Sequence, residues 1–125
     1  MAKVEDRPVD AGVAQLRGKD DASAVEWWKG RFALLAGVPT EVARAGALIP
    51  QIRELSRLPD AERRRLTKAR LQAAVAIPAD QRQKVMSALS LASALDPALV
   101  KGDQDLAQQL AAEVPGASDM LMRQG

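Results

Sequence analysis

Prolines recur along this chain at nearly even intervals. They stand at Pro39, Pro59, Pro78, Pro97 and Pro115, so that successive gaps are 20, 19, 19 and 18 residues. Within this series, residues 58–76 and 77–95 share one pattern: an aliphatic residue and a proline, then acidic or amide residues, an arginine and an aliphatic stripe. Proline disrupts a helix interior but is well tolerated at the first helical position. The series therefore predicts helices of similar length, most of them opened by a proline.

The fold class follows from this spacing and from the kind of apolar residue present. Hydrophobic residues make up 47% of the 125 residues but aromatic residues only 2%, and alanine and leucine dominate. Such a composition favours helices over strands. We expect an all-α protein, either a compact bundle or a short array of about five helices. Two matching copies are too few to establish a repeat family.

The sequence predicts one helical domain over residues 23–116. Residues 1–22 are expected to form an amino-terminal tail or a short helix over 8–17, and residues 117–125 a carboxy-terminal tail. Ser23 and Glu26 have the spacing of a capping box, which predicts that the first helix begins at Ser23. In the second helix, the apolar spacing continues across Pro50, so we expect a helix kinked there.

The later helices differ in what they carry. Pro59 and Pro78 are expected at the first positions of the third and fourth helices, and a last helix over 104–114 is expected after a stop at Gly102. In residues 85–95 the only polar side chains are serines. A helix apolar nearly all round is contacted on most sides. We interpret the fourth helix as the centre of the bundle or as one face of an oligomer.

Several residue types that catalysis uses are missing. The chain has no cysteine, no histidine and no tyrosine, which removes the commonest general base and the commonest metal ligands. The closely spaced carboxylates lie near predicted helix starts, where helices use acids anyway. We therefore predict no catalytic residues, no cofactor site and no metal site.

The segment WWKGRF contains every aromatic residue of the chain. On a helix, neighbouring residues point about 100° apart, so two adjacent tryptophans do not easily face one core. We expect one to be buried and the other to be partly exposed or covered by another chain. Both packing inside the bundle is the alternative. The candidate protein-interface residues are Trp27, Trp28, Lys29, Arg31 and Phe32.

Charge is unevenly distributed along the chain, although the net charge is only +2. Residues 53–70 hold seven basic and three acidic side chains (7 − 3 = +4), whereas residues 96–119 hold one and five (1 − 5 = −4). The basic run could contact phosphates, pair with the acidic segment of this or a neighbouring chain, or face solvent. The candidate anion-contact residues are Arg63, Arg64, Lys68 and Arg70.

These observations predict a small non-catalytic helical protein that acts as a protein–protein interaction module, or as an accessory or structural subunit of a larger assembly. A protein partner or a homo-oligomer is expected. The alternative is nucleic-acid binding through the basic helix 59–75. A cytoplasmic location is expected, because residues 1–10 lack the apolar core of a signal peptide and no stretch reaches the roughly 20 apolar residues of a membrane span.

Overall fold

Helices of similar length follow one another through the computed structural model, which describes residues 12–122. A 3-10 turn at Val13–Leu16 precedes six α-helices, and this part of the chain contains no strand. The helices are α1 (Asp21–Ala36), α2 (Glu41–Ser56), α3 (Asp60–Ala76), α4 (Ala79–Leu95), α5 (Pro97–Ala111) and α6 (Ala117–Met122). They pack into a compact bundle, so the predicted all-α fold is confirmed.

Every proline of the regular series lies within two residues of a helix start. Pro97 occupies the first position of α5, which the Asp96 side chain caps by accepting a hydrogen bond from the Leu99 amide. The prediction for Pro59 and Pro78 was wrong by one residue, since each is the N-cap of its helix. Their extended ψ angles of 152° and 149° exclude them from the first turn, but their carbonyls accept the first helical bonds.

The helices form two layers. α1, α3 and α5 lie side by side in the first layer, and α2 and α4 form the second. Each of α1, α2 and α3 packs on the second helix that follows it along the chain. In the first layer α1 and α3 run parallel, because the amino ends of these two helices meet at Asp21 and Arg65 while Trp28 lies further along beneath Arg70.

The start of α1 lies two residues earlier than expected. Asp20 is its N-cap, and its Oδ1 accepts a hydrogen bond of 2.7 Å from the Ser23 amide. Asp20 is as good a cap as Ser23, and placing the cap there brings Asp21 into the first turn, where the helix dipole favours a carboxylate. The capping box predicted at Ser23 and Glu26 was therefore wrong.

Pro50 and Gly102, two residue types that often interrupt helices, both lie inside helices here. Pro50 lies inside α2, which continues from Glu41 to Ser56, so the second helix does span the proline. Gly102 lies inside α5 rather than at a stop, and the predicted helix over 104–114 is the later part of one that starts at Pro97. A residue in place of Gly102 would have open space around its Cβ. The Asp96–Pro97 cap starts this helix, and one glycine does not end it.

Residues on both sides of the predicted domain 23–116 contribute to the core. Val13 and Leu16 are fully buried, as is Ala117, and Met120 is nearly so. The amino-terminal helix predicted over 8–17 is a single 3-10 turn among the described residues, and residues 8–11 lie outside them. Residues 123–125 of the predicted carboxy-terminal tail also lie outside them.

The basic helix is more enclosed than the apolar one. α3 buries seven residues, whereas α4 buries four. α3 packs against α1, α2, α5 and α6, and its long cationic side chains extend from the rim of a buried alanine and leucine stripe. α4 packs against α1, α2 and α5 but leaves one face open. The expectation that the fourth helix forms the centre of the bundle was therefore wrong, and that place belongs to α3.

Candidate interaction surface

The aromatic cluster divides between the core and the surface. The Trp28 and Phe32 side chains are buried with ring centroids 5.9 Å apart. Trp27 is half-buried and meets Trp28 edge to face, with centroids 5.0 Å apart. This is the arrangement that adjacent positions on one helix impose. One tryptophan is thus buried and the other partly exposed, which is one of the two arrangements that the sequence left open.

The cationic residues of this cluster already have contacts within the chain. The Arg31 guanidinium lies 4.6 Å from the centroid of the Trp27 ring, a cation–π geometry. The Lys29 ammonium pairs with Glu26 one turn earlier at 3.2 Å. Trp27 and Arg31 therefore present one small half-exposed patch on α1, whereas Trp28 and Phe32 are not available to a partner.

Several basic side chains of residues 53–70 form ion pairs with acidic residues of the same chain. Lys68 pairs with Glu113 at 3.2 Å, and Arg70 pairs with Asp103 at 2.7 Å. Both acids belong to the segment whose negative charge balances the run. Arg53 pairs with a third such acid, Asp96. Of the three interpretations of the basic run, intrachain pairing is the one these contacts match.

The two other anion-contact candidates do not pair with an acid of residues 96–119. Arg63 pairs with Asp60 in the first turn of its own helix. Arg64 donates a long hydrogen bond of 3.4 Å to the side chain of Gln109 on α5. Arg57 is exposed, and Arg64 is half-buried.

Arg65 has the largest set of polar contacts in the run. It donates to both carboxylate oxygens of Glu62, at 3.1 and 3.2 Å, and to Asp21 at 2.9 Å. It also donates to the carbonyl oxygens of Leu16 and Lys19. The hydrogen bond from Arg65 lowers the pKa of Glu62. The hydrogen bonds to Glu62 and Asp21 raise the pKa of Arg65. Sequence inspection did not single out this residue.

The repeated arginine has a different role in each copy of the 58–95 pattern. Arg63 pairs within its own helix, but Arg82 reaches back to the end of α3. Its guanidinium donates to the carbonyls of Ala74, Val75 and Ile77, at 2.9, 3.2 and 2.9 Å. These carbonyls lie at the carboxyl end of α3, where the helix leaves acceptors unused and its dipole favours a cation. Arg82 is therefore a structural cap.

The open face of α4 lines a groove of about 800 Å³. We call it the α4 groove. Small side chains, two methionines, a leucine and a few polar side chains line it. Its lining residues are Glu41, Ala79, Arg82, Gln83, Met86, Ser87, Ser90, Leu91, Ala94 and Met120. No helix within residues 12–122 fills it.

The described residues contain neither a group of metal-ligating side chains nor a membrane-spanning helix. Among residues 12–122, no three acidic side chains come together as metal ligands would. None of the helices described is long and apolar enough to cross a membrane. A smaller cavity of about 40 Å³ lies inside the bundle, bounded mainly by apolar side chains and by the Arg70–Asp103 pair. At that size it has room for only a few water molecules.

Sequence reasoning located the α4 groove only in part. The scarcity of charge in residues 85–95 indicated that α4 carries an unusual face, and one of the two interpretations placed a partner there. Met120 and Glu41 come from distant parts of the chain, so no local pattern could assign them to the same surface. The chain matches no protein-family model, no curated protein and no solved structure.

Proposed function

We propose that this chain is a small non-catalytic helical protein that binds another protein, and that the α4 groove receives an amphipathic helix of the partner. The observation that carries the proposal is the open face of α4, which lines the groove of about 800 Å³. The half-buried Leu91 supplies an apolar contact, and the nearly buried Met86 and Met120 form apolar surface beneath it.

The two-layer arrangement supports a helix as the occupant. α2 packs along α4, and the face of α4 that lines the groove is covered by no helix among the described residues. The next helix in the chain, α6, has six residues and packs on α3 and α5. α4 has 17 residues, which gives it a length of about 25 Å. A partner helix of about four turns has the length to lie along it.

The small side chains of the groove also favour a helix. The groove side of α4 carries short side chains, among them Ala79, Ser87 and Ala94. Short side chains allow the backbone of another helix to approach closely. Glu41 and Arg82 give one end of the groove both signs of charge. The Arg82 guanidinium is committed to three carbonyls, which leaves Glu41 as the charge available to a basic residue of the partner.

Co-purification from cells that make the protein tests this proposal. Ala94 is exposed in the groove, and Ala47 is an exposed alanine of α2 outside it. The Ala94→Arg variant should lose a partner that the wild-type chain retains, and the matched Ala47→Arg variant should keep it. Loss from both variants, or from neither, contradicts a role for the groove. Light scattering on the purified chain identifies the case in which the partner is a second copy.

Nucleic-acid binding through residues 59–75 is the alternative, and the ion pairs of α3 weigh against it. Lys68 and Arg70 already have carboxylate partners, and Arg64 is the candidate with the weakest internal contact. Fluorescence anisotropy with labelled DNA and RNA at low salt distinguishes the two proposals. Affinity that falls steeply with salt and is lost in Arg64→Glu supports nucleic-acid binding over protein binding.

A further inference from the structure

Residues 12–19 form a strap that contacts α1, α2 and α3. It lies between two glycines with left-handed backbone, Gly12 (φ 84°) and Gly18 (φ 87°). Between them is only the 3-10 turn, which makes the strap a separate unit from α1. Val13 and Leu16 are nonetheless fully buried and belong to the main core. The strap thus places two side chains in the core, and a glycine with a conformation that other residues rarely adopt stands on each side of them.

Side chains of α2 and α3 hold the strap in place. The Val13 amide donates to Glu54 Oε1 of α2 at 3.0 Å. Arg65 of α3 donates to the Leu16 carbonyl at 3.2 Å and to the Lys19 carbonyl at 2.9 Å. None of these bonds is part of a helix ladder, so breaking them leaves every helical hydrogen bond intact.

The position of Arg65 is itself fixed by two carboxylates. Glu62 holds it from the previous turn of α3, and Asp21 from the first turn of α1. This arrangement directs the remaining donors of the planar guanidinium to the two strap carbonyls. A lysine at this position has a single ammonium group, which cannot reach Glu62, Asp21 and both carbonyls with the same geometry.

The other end of the strap lies against the aromatic cluster. A Cβ atom built on Gly12 would come within 2.8 Å of the Trp27 ring and 2.6 Å of the Arg31 guanidinium. Gly12 therefore packs its backbone directly on this half-exposed pair. Displacement of the strap uncovers both the Trp27 patch and the seat of Val13 and Leu16.

We infer that the strap opens as a unit while α1 to α5 stay folded, and that Arg65 is the residue that holds it closed. Local openings of this kind are expected where a segment is tied down by a few side-chain bonds. The seat that opening uncovers fits two aliphatic side chains spaced three residues apart, as Val13 and Leu16 are.

Limited trypsin digestion of the full chain, followed by mass spectrometry, tests the inference. Arg17 is an exposed cleavage site within the strap, and Arg70 is a buried site within α3 that reports global unfolding. Cleavage after an open site follows the population of the open state when opening is fast. In Arg65→Lys, cleavage after Arg17 should accelerate about tenfold or more, because charge-assisted bonds to the strap are lost.

The matched control is Arg63→Lys, since the pair of Arg63 with Asp60 lies within α3 and does not involve the strap. Its cleavage after Arg17 should stay within about twofold of the wild type. Two results would overturn the inference. One is an unchanged rate after Arg17 in Arg65→Lys. The other is a parallel acceleration after Arg17 and Arg70, which means that the strap opens only when the whole protein unfolds.

Discussion

Arg70 of α3 and Asp103 of α5 form an ion pair inside the protein, with 2.7 Å between Nη2 and Oδ2 and side chains only 10% and 5% exposed. The pair joins the central helix to its neighbour in the first layer. The Arg70 guanidinium also lies 5.9 Å from the centroid of the buried Trp28 ring. A residue predicted as an anion contact thus serves to hold two helices together.

Removing one partner of this pair should be strongly destabilising. Asp103→Ala leaves the Arg70 cation buried without a counter-charge, which lowers the free energy of unfolding by about 3–5 kcal/mol. The double variant Arg70→Met/Asp103→Leu buries no charge and should lose far less. Urea denaturation followed by circular dichroism measures both. A loss below about 1 kcal/mol in Asp103→Ala would mean that the pair is not buried as described.

Two glycine substitutions should change stability in opposite directions. Gly102 lies inside α5 with open space around it, so Gly102→Ala should raise the free energy of unfolding by about 0.5–1 kcal/mol. Gly116 has φ 86°, and a Cβ there would lie 3.2 Å from Val75. Gly116→Ala should therefore lower it by about 1–2 kcal/mol. Thermal unfolding of the two variants measures both changes. A destabilised Gly102→Ala variant would indicate that the helix ends at Gly102, as the sequence predicted.

Lowering the pH should reduce the free energy of unfolding in part because Glu62 becomes protonated. The hydrogen bond from Arg65 lowers the pKa of Glu62 below its ordinary value of 4.5. A carboxylate with a lowered folded-state pKa contributes stability that is present above the unfolded value and is lost as pH falls through the folded value. The difference in unfolding free energy between wild type and Glu62→Gln should be present at pH 6 and should shrink below pH 4.5. A difference that is constant with pH would exclude this linkage.

The regular prolines predicted the helices well because their effect is local. A proline can cap or begin a helix whatever the rest of the chain does, so all five mark helix starts. The exact boundary depends on cap geometry, and neighbouring candidates compete for it, as Asp20 and Ser23 do at α1. Gly102 and Pro50 show the opposite limit, since packing keeps α5 and α2 helical through residues that usually interrupt a helix.

The surface was harder to predict than the fold because burial is a property of the whole bundle. The number of cations on α3 suggested exposure, but Asp21, Asp103 and Glu113 come from distant positions to meet them. Serines and alanines on α4 suggested enclosure, but no described element lies on that face. Pattern alone shows which residues share one side of a helix. Which neighbour covers that side depends on contacts made across the chain.

Photo-crosslinking from the α4 groove tests the central claim most directly. Benzoylphenylalanine placed at position 94 projects from the groove, and the same group at position 47 projects from the exposed side of α2. In cells that make the protein, irradiation should give a discrete adduct with one partner from position 94 and none from position 47. Equal labelling from both positions, or labelling from position 47 alone, would contradict a partner helix in the groove.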